Sequence, residues 1–158
     1  MWGPTFFKGI LENQINEIKR TNSMMKMDMY HILLILTDGV VHDMKDTIDM
    51  IVKLGEHPCS IIIIGIGEAD FTNMDILDAD EMDLVDSHKN KARDIIQFVE
   101  FSKYSKDDAQ LAEQVLGEVP EQFVDYMLIH GIKPKSKKDA DKEKVKKDDS
   151  DKSGKKAK

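Results

Sequence analysis

Cysteine is almost absent from this sequence: Cys59 is the only one among 158 residues. A lone cysteine excludes a disulfide framework and a zinc site built on several thiolates, and it suits a reducing compartment. Aromatic residues reach only 6%. The longest apolar runs, Ile32–Leu36 and Ile61–Ile64, fall far below the roughly 20 residues that cross a bilayer as a helix. The opening MWGPTFFKGI has neither a basic start nor a sustained apolar stretch, so it lacks the pattern of a secretory signal. These absences lead to the expectation of a single-domain cytoplasmic protein.

What is abundant is charge, at 34% of residues with a net −7. The sign is unevenly distributed. From Lys133 onward there are 12 lysines against 6 acids, a local +6, which leaves −13 for the preceding residues. So acidic a body argues against nucleic-acid binding, which needs a basic face. Lys133–Lys158 has no aromatic residue and one branched aliphatic, Val145. It can bury too little surface to offset its ordering entropy, so a disordered Lys/Asp-rich tail is expected over 133–158, after a domain over 1–132.

Within the domain, Ile10, Leu11, Ile15 and Ile18 recur at helical spacing and predict a helix from Thr5 to about Lys26. Tyr30–Leu36 is a continuous apolar run, as expected of a strand covered on both faces. Asp43 can cap a second helix carrying Met44, Ile48, Ile51 and Val52, with Gly55 as its stop. A second strand follows Pro58, over Ser60–Ile66. Strand, helix and strand within about 35 residues make a βαβ unit with a parallel pair. An acidic loop, Glu68–Lys91, precedes a third strand over Ile95–Phe101. Ser105 then opens a helix as a cap, and Pro120 starts a last helix that Gly131 ends.

Few residues suggest chemistry. In an open parallel sheet, ligands sit beyond the carboxyl ends of the strands. Asp38, in Thr37-Asp38-Gly39, occupies such an end and could ligate a hard cation. The triplet alone reads equally well as a turn or capping carboxylate. Thr5 offers a hydroxyl ligand or, more simply, a helix cap. DADEMD from Asp78 has the outline of a calcium loop, but Asp83 stands where glycine is required and Lys89 where glutamate is expected. Gly65-Ile66-Gly67 lacks the third glycine of a dinucleotide fingerprint. Cys59 has no activating histidine beside it. No catalytic set emerges, and an enzyme is not expected.

Five ordered blocks carry a specific resemblance: WGPTFF, YHILLILTDGVVHDMKDTIDMIVK, PCSIIIIGIGEADFTNMDILDAD, ARDIIQFVEF and LAEQVLGEVPEQFVDYM. Together they resemble the C-terminal part of a copine, in the region where copines are similar to von Willebrand factor A domains. The resemblance implies an α/β fold, here a partial doubly wound parallel sheet amounting to half of such a domain. It also implies a metal-ion-dependent adhesion site (MIDAS), in which Thr5 matches the second-loop threonine and Asp38 the third-loop aspartate. The first loop, Asp-x-Ser-x-Ser, and the two calcium-dependent lipid-binding modules of the family have no match in these residues.

The resulting expectation is a non-enzymatic copine-like protein-interaction module. Its links to calcium-dependent phospholipid binding and to signalling at the plasma membrane come from the family resemblance. Mg²⁺ or Mn²⁺ would bind at an incomplete site, and Ca²⁺ enters only by family association. Protein partners are expected, with membrane contact indirect or through the basic tail. Without a neighbouring strand, Tyr30–Leu36 would be an exposed edge through which the chain could self-associate. The alternative is a truncated or degenerate copine fragment with no independent function.

Overall fold

The fold is described from a computed structural model, which covers residues 3–25, 29–78 and 84–134. The sequence positions 1–2, 26–28, 79–83 and 135–158 lie outside the described residues. These include most of the DADEMD segment and nearly all of the expected tail. The chain divides into two units, Met1–Tyr126 and Met127–Lys158.

In chain order the described elements are α1 (Lys8–Met25), β1 (His31–Thr37), α2 (Met44–Gly55), β2 (Cys59–Gly65), α3 (Thr72–Asp78), β3 (Ile96–Glu100), α4 (Phe101–Tyr104), α5 (Asp108–Leu116) and α6 (Val119–Ile129). None of the described helices is long and apolar enough to cross a membrane. The expected strands and main helices are present with small shifts. The acidic loop, however, contains a short helix, α3. Asp107 rather than Ser105 caps α5, its carboxylate accepting from the Gln110 N–H at 3.0 Å. The Ser105 hydroxyl instead donates to the Ser102 carbonyl at the end of α4.

The three strands form one parallel sheet in the order β1-β2-β3, with Thr37 opposite Gly65 and Gly65 opposite Glu100. Their carboxyl ends therefore meet along one margin, as the expected partial von Willebrand factor A-like fold requires. Strand alternation gives the sheet two distinct faces. On one face Ile35, Cys59, Ile61, Ile63, Ile96 and Phe98 belong to the buried core. Phe7, Leu11, Ile15 and Ile18 of the α1 segment complete that core, together with Met50, Ile51 and Leu54 of α2. The buried stripe of α1 runs through Phe7 and not through Ile10, which is 43% exposed. The opposite face is buried at Ile62 and Val99 but bare on β1, where Ile32, Leu34 and Leu36 are 52%, 54% and 60% exposed.

Arg93 joins the elements of the first unit. Its guanidinium donates to the carbonyls of Gly55 (3.2 Å), Cys59 (3.1 Å) and Gln122 (2.8 Å), and it lies over the Tyr126 ring at 5.4 Å. The end of α2, the start of β2 and α6 thus share one cation. Within the second unit, Gly131 (φ +63°) closes α6 in a Schellman turn. Its N–H donates to the Leu128 carbonyl (3.1 Å) and the Ile132 N–H to the Met127 carbonyl (2.8 Å).

Arg93→Met keeps much of the side-chain volume but leaves these carbonyls without their donor. It should lower unfolding free energy by about 2–3 kcal/mol in a urea titration. A midpoint equal to that of the unmodified protein would show that Arg93 does not tie these elements together.

Candidate functional site

The candidate site lies beyond the carboxyl end of β1. Asp38 follows the last strand residue and is exposed. The chain then turns at Gly39 and runs back alongside the segment before α1. Thr5 and Val41 form a parallel bridge there, and the His42 N–H donates to the Thr5 carbonyl at 2.9 Å. The Thr5 N–H donates in turn to His42 Nδ1 at 3.0 Å, which assigns the ring proton to Nε2. A Cβ added at Gly39 would lie 3.2 Å from Thr5 Oγ1. Glycine at this turn therefore lets the hydroxyl-bearing residue approach the Asp38 loop. The two residues singled out from the sequence, 33 positions apart, come to adjacent stretches of backbone.

The next residue locks this arrangement. Asp43 occupies the N-cap position of α2, as expected, but its carboxylate makes no cap bond to that helix. It accepts instead from the N–H groups of Phe7 (3.0 Å) and Lys8 (2.9 Å), at the start of α1. The Thr47 hydroxyl donates to it as well, at 3.1 Å. Asp43 thus caps the preceding helix across space, and Thr5 does not serve as that cap. Burial works to raise the Asp43 pKa, but the donors from Lys8, Phe7 and Thr47 outweigh it and hold the carboxyl below its usual range. Neither His42 nor this use of Asp43 was singled out from the sequence. A cap supplied from 36 residues away leaves no local signature.

Asp38 and Thr5 offer one carboxylate and one hydroxyl, hard oxygen donors of the kind Mg²⁺ prefers. Mg²⁺ takes six oxygen ligands, so these two alone do not form a chelating shell. Among the described residues, no group of three or more His, Cys, Asp or Glu could hold a metal ion.

The other sequence candidates have structural explanations. Asp86 accepts from the N–H groups of His88 and Asn90, each at 2.8 Å, and shapes a tight turn. Asp49 of α2 holds that turn through the Ser87 N–H and hydroxyl. The Asp78 carboxylate accepts from the Phe98 N–H of β3 at 2.8 Å. Asp80, Glu81 and Asp83 lie outside the described residues. Gly65 faces the Phe71 ring so closely that an added Cβ would lie 2.8 Å from it, so this glycine serves packing. Cys59 is buried, and burial pushes its thiol up to about 12. Such a group is almost wholly un-ionised at neutral pH and is no nucleophile.

Comparison with known proteins agrees with this architecture. The copine family model matches residues 1–135, and the chain belongs to the copine family. It is similar to Copine-E of Dictyostelium discoideum, with 45% identity over 137 residues covering 85% of this chain and 23% of that protein. It is similar to Copine-C of the same organism, with 39% identity over 133 residues covering 84% of this chain and 24% of that protein. Protein BONZAI 1 of Arabidopsis thaliana is 37% identical over 134 residues, covering 84% of this chain and 23% of that protein. The chain thus spans about a quarter of the length of these curated relatives.

Because the folded-state pKa of Asp43 is depressed, its stabilisation is full above the unfolded carboxylate value near 4 and is lost as pH falls through the lower folded value. Asp43→Ala should cost about 1–2 kcal/mol at neutral pH, the usual price of a lost cap. The difference from the unmodified protein should shrink in acid. A difference independent of pH down to acid unfolding would count against the charged cap.

Proposed function

We propose that this chain is a non-enzymatic protein-interaction module that engages partners through the free edge of β1. The observation that carries the reading is the bare half of that strand. Ile32, Leu34 and Leu36 stand more than half exposed on one face, while among the described residues only one of the strand's two edges is paired, by β2. HILLILT contains no lysine, proline or acid, the devices that usually protect an edge. A strand from another protein would satisfy the unpaired N–H and C=O groups. Covering the three side chains would contribute roughly 1 kcal/mol each, since about half of each is still in water. Where no other partner is present, a second copy is expected to occupy the same edge.

Asp38 and Thr5 add a divalent cation to this reading. They would supply two oxygen ligands for Mg²⁺ or Mn²⁺, with water and a partner carboxylate completing the coordination. Calcium-dependent phospholipid binding and signalling at the plasma membrane are carried over from the copine family as part of the proposal, and with them a cytoplasmic location.

In sedimentation velocity the chain should associate as its concentration rises, and Leu34→Lys should restore a monomer without altering the circular dichroism. A stable monomer at every concentration would sink self-association through this edge. For the cation, thermal unfolding should shift upward with millimolar Mg²⁺ or Mn²⁺, because a ligand bound only by the folded state stabilises it. Asp38→Asn should remove the shift, and a shift that survives the substitution would reject the assignment. Absence of any cooperative transition would favour the alternative, a copine fragment that cannot function alone.

A further inference from the structure

Given β1 as a docking edge, as proposed above, we infer that it recruits an uncharged strand with two unlike faces, aliphatic toward Ile32, Leu34 and Leu36 and amide- or hydroxyl-bearing toward α1. The two sides of the β1 edge differ in chemistry. One side presents the three exposed aliphatic side chains. On the other, α1 and β1 border an open groove of about 560 Å³. Asn13, Gln14, Asn16, Glu17 and Arg20 line it from α1, and its aliphatic lining is Ile10 and, from β1, Leu33. Among the described residues none from β2 or α2 lines it, so the groove opens along the edge that β2 does not pair. Successive side chains of a strand added there point alternately over the bare aliphatic face and into the groove.

Charge and hydrogen bonding select this occupant over the others. HILLILT contains no Asp, Glu, Lys or Arg. In the groove, the Glu17 carboxylate already accepts from Arg20 Nε at 2.9 Å and from the Thr21 hydroxyl at 3.2 Å. An incoming charge would break that pair or lose its water without a partner, so the paired length of the strand is uncharged. The carboxamides of Asn13, Gln14 and Asn16 each offer donors and an acceptor, which suits threonine, serine, asparagine or glutamine. Each wall also carries a buried polar atom with no hydrogen-bond partner. These are Oδ1 of Asn22, further along α1, and Nε2 of His31, which shares a face of β1 with Leu33. A strand aliphatic on both faces would dehydrate the carboxamides and leave them unpaired. A second copy is the poorer occupant, because it sets one −13 body against another. Its own α1 also covers the side of its β1 that would have to enter the groove.

The test is fluorescence anisotropy of the full chain with two labelled peptides as long as β1, with blocked ends and the same content of valine and threonine. One alternates the two residues; the other gathers the valines at one end and the threonines at the other. The alternating peptide should bind about tenfold more tightly, since each hydrogen bond gained contributes roughly fivefold. Asn13→Leu with Gln14→Leu keeps good helix formers in α1 and should remove most of that difference at unchanged circular dichroism. Leu34→Lys should abolish binding of both peptides. Equal affinity of the two peptides, lost in Leu34→Lys, would overturn the two-faced strand while leaving β1 a docking edge. A preference for alternation that survives the groove substitutions would likewise overturn it. Binding of neither peptide, or binding that Leu34→Lys leaves unchanged, would overturn the docking edge as well.

Discussion

The Asp43 carboxylate holds together the parts on which the rest of the first unit depends. It sits between β1 and α2, yet it accepts the first N–H groups of α1, which precedes the strand in sequence. A helix start leaves several backbone donors unpaired, and an anion there also complements the helix dipole. One side chain therefore sets where α1 begins and how it lies against the sheet. Phe7 is buried immediately beside that contact, and Leu11, Ile15 and Ile18 then follow on the same helical face. The Thr5–Val41 bridge and the His42 hydrogen bonds extend the same junction. The position of Thr5 beside the Asp38 loop is thus a by-product of how the first helix is anchored.

The sheet that α1 covers is asymmetric. β2 has neighbours on both edges and is buried along almost its whole length, which accounts for its run of isoleucines. β1 has equally apolar residues, but only those on the α1 side are covered. Alternate side chains of one strand therefore experience core and solvent, although their chemistry is the same. Local sequence preference cannot produce that outcome. It follows from which elements flank the strand.

The same contrast explains what could be read from sequence. Continuous aliphatic runs between Gly, Pro and Asp punctuation mark β1 and β2, and the short connection between them requires parallel pairing through a helix. Those features were legible because they are local. Ile32, Leu34 and Leu36 look no different from buried strand residues, so nothing in the local pattern marks their exposure. Asp43 was legible as an N-cap residue but not as the cap of another helix, since its partners lie some 35 positions away. Arg93 was hidden for a related reason. Its acceptors are main-chain carbonyls of three separate elements, and a carbonyl carries no residue identity. At the candidate site, the family resemblance singled out Thr5 and Asp38, while His42 and Asp43, which fix the backbone around them, lay between recognisable motifs.

Cys59 gives the protein an internal clock. It begins the central strand, buried in the core that α1 helps to enclose, and it is the molecule's only thiol. A group so placed cannot meet a dissolved electrophile while the layers are closed. Its chemical modification must wait for the core to open, so the labelling rate counts openings rather than intrinsic reactivity. The residue least suited to catalysis is thereby the one whose chemistry reports how often α1 and the sheet part company.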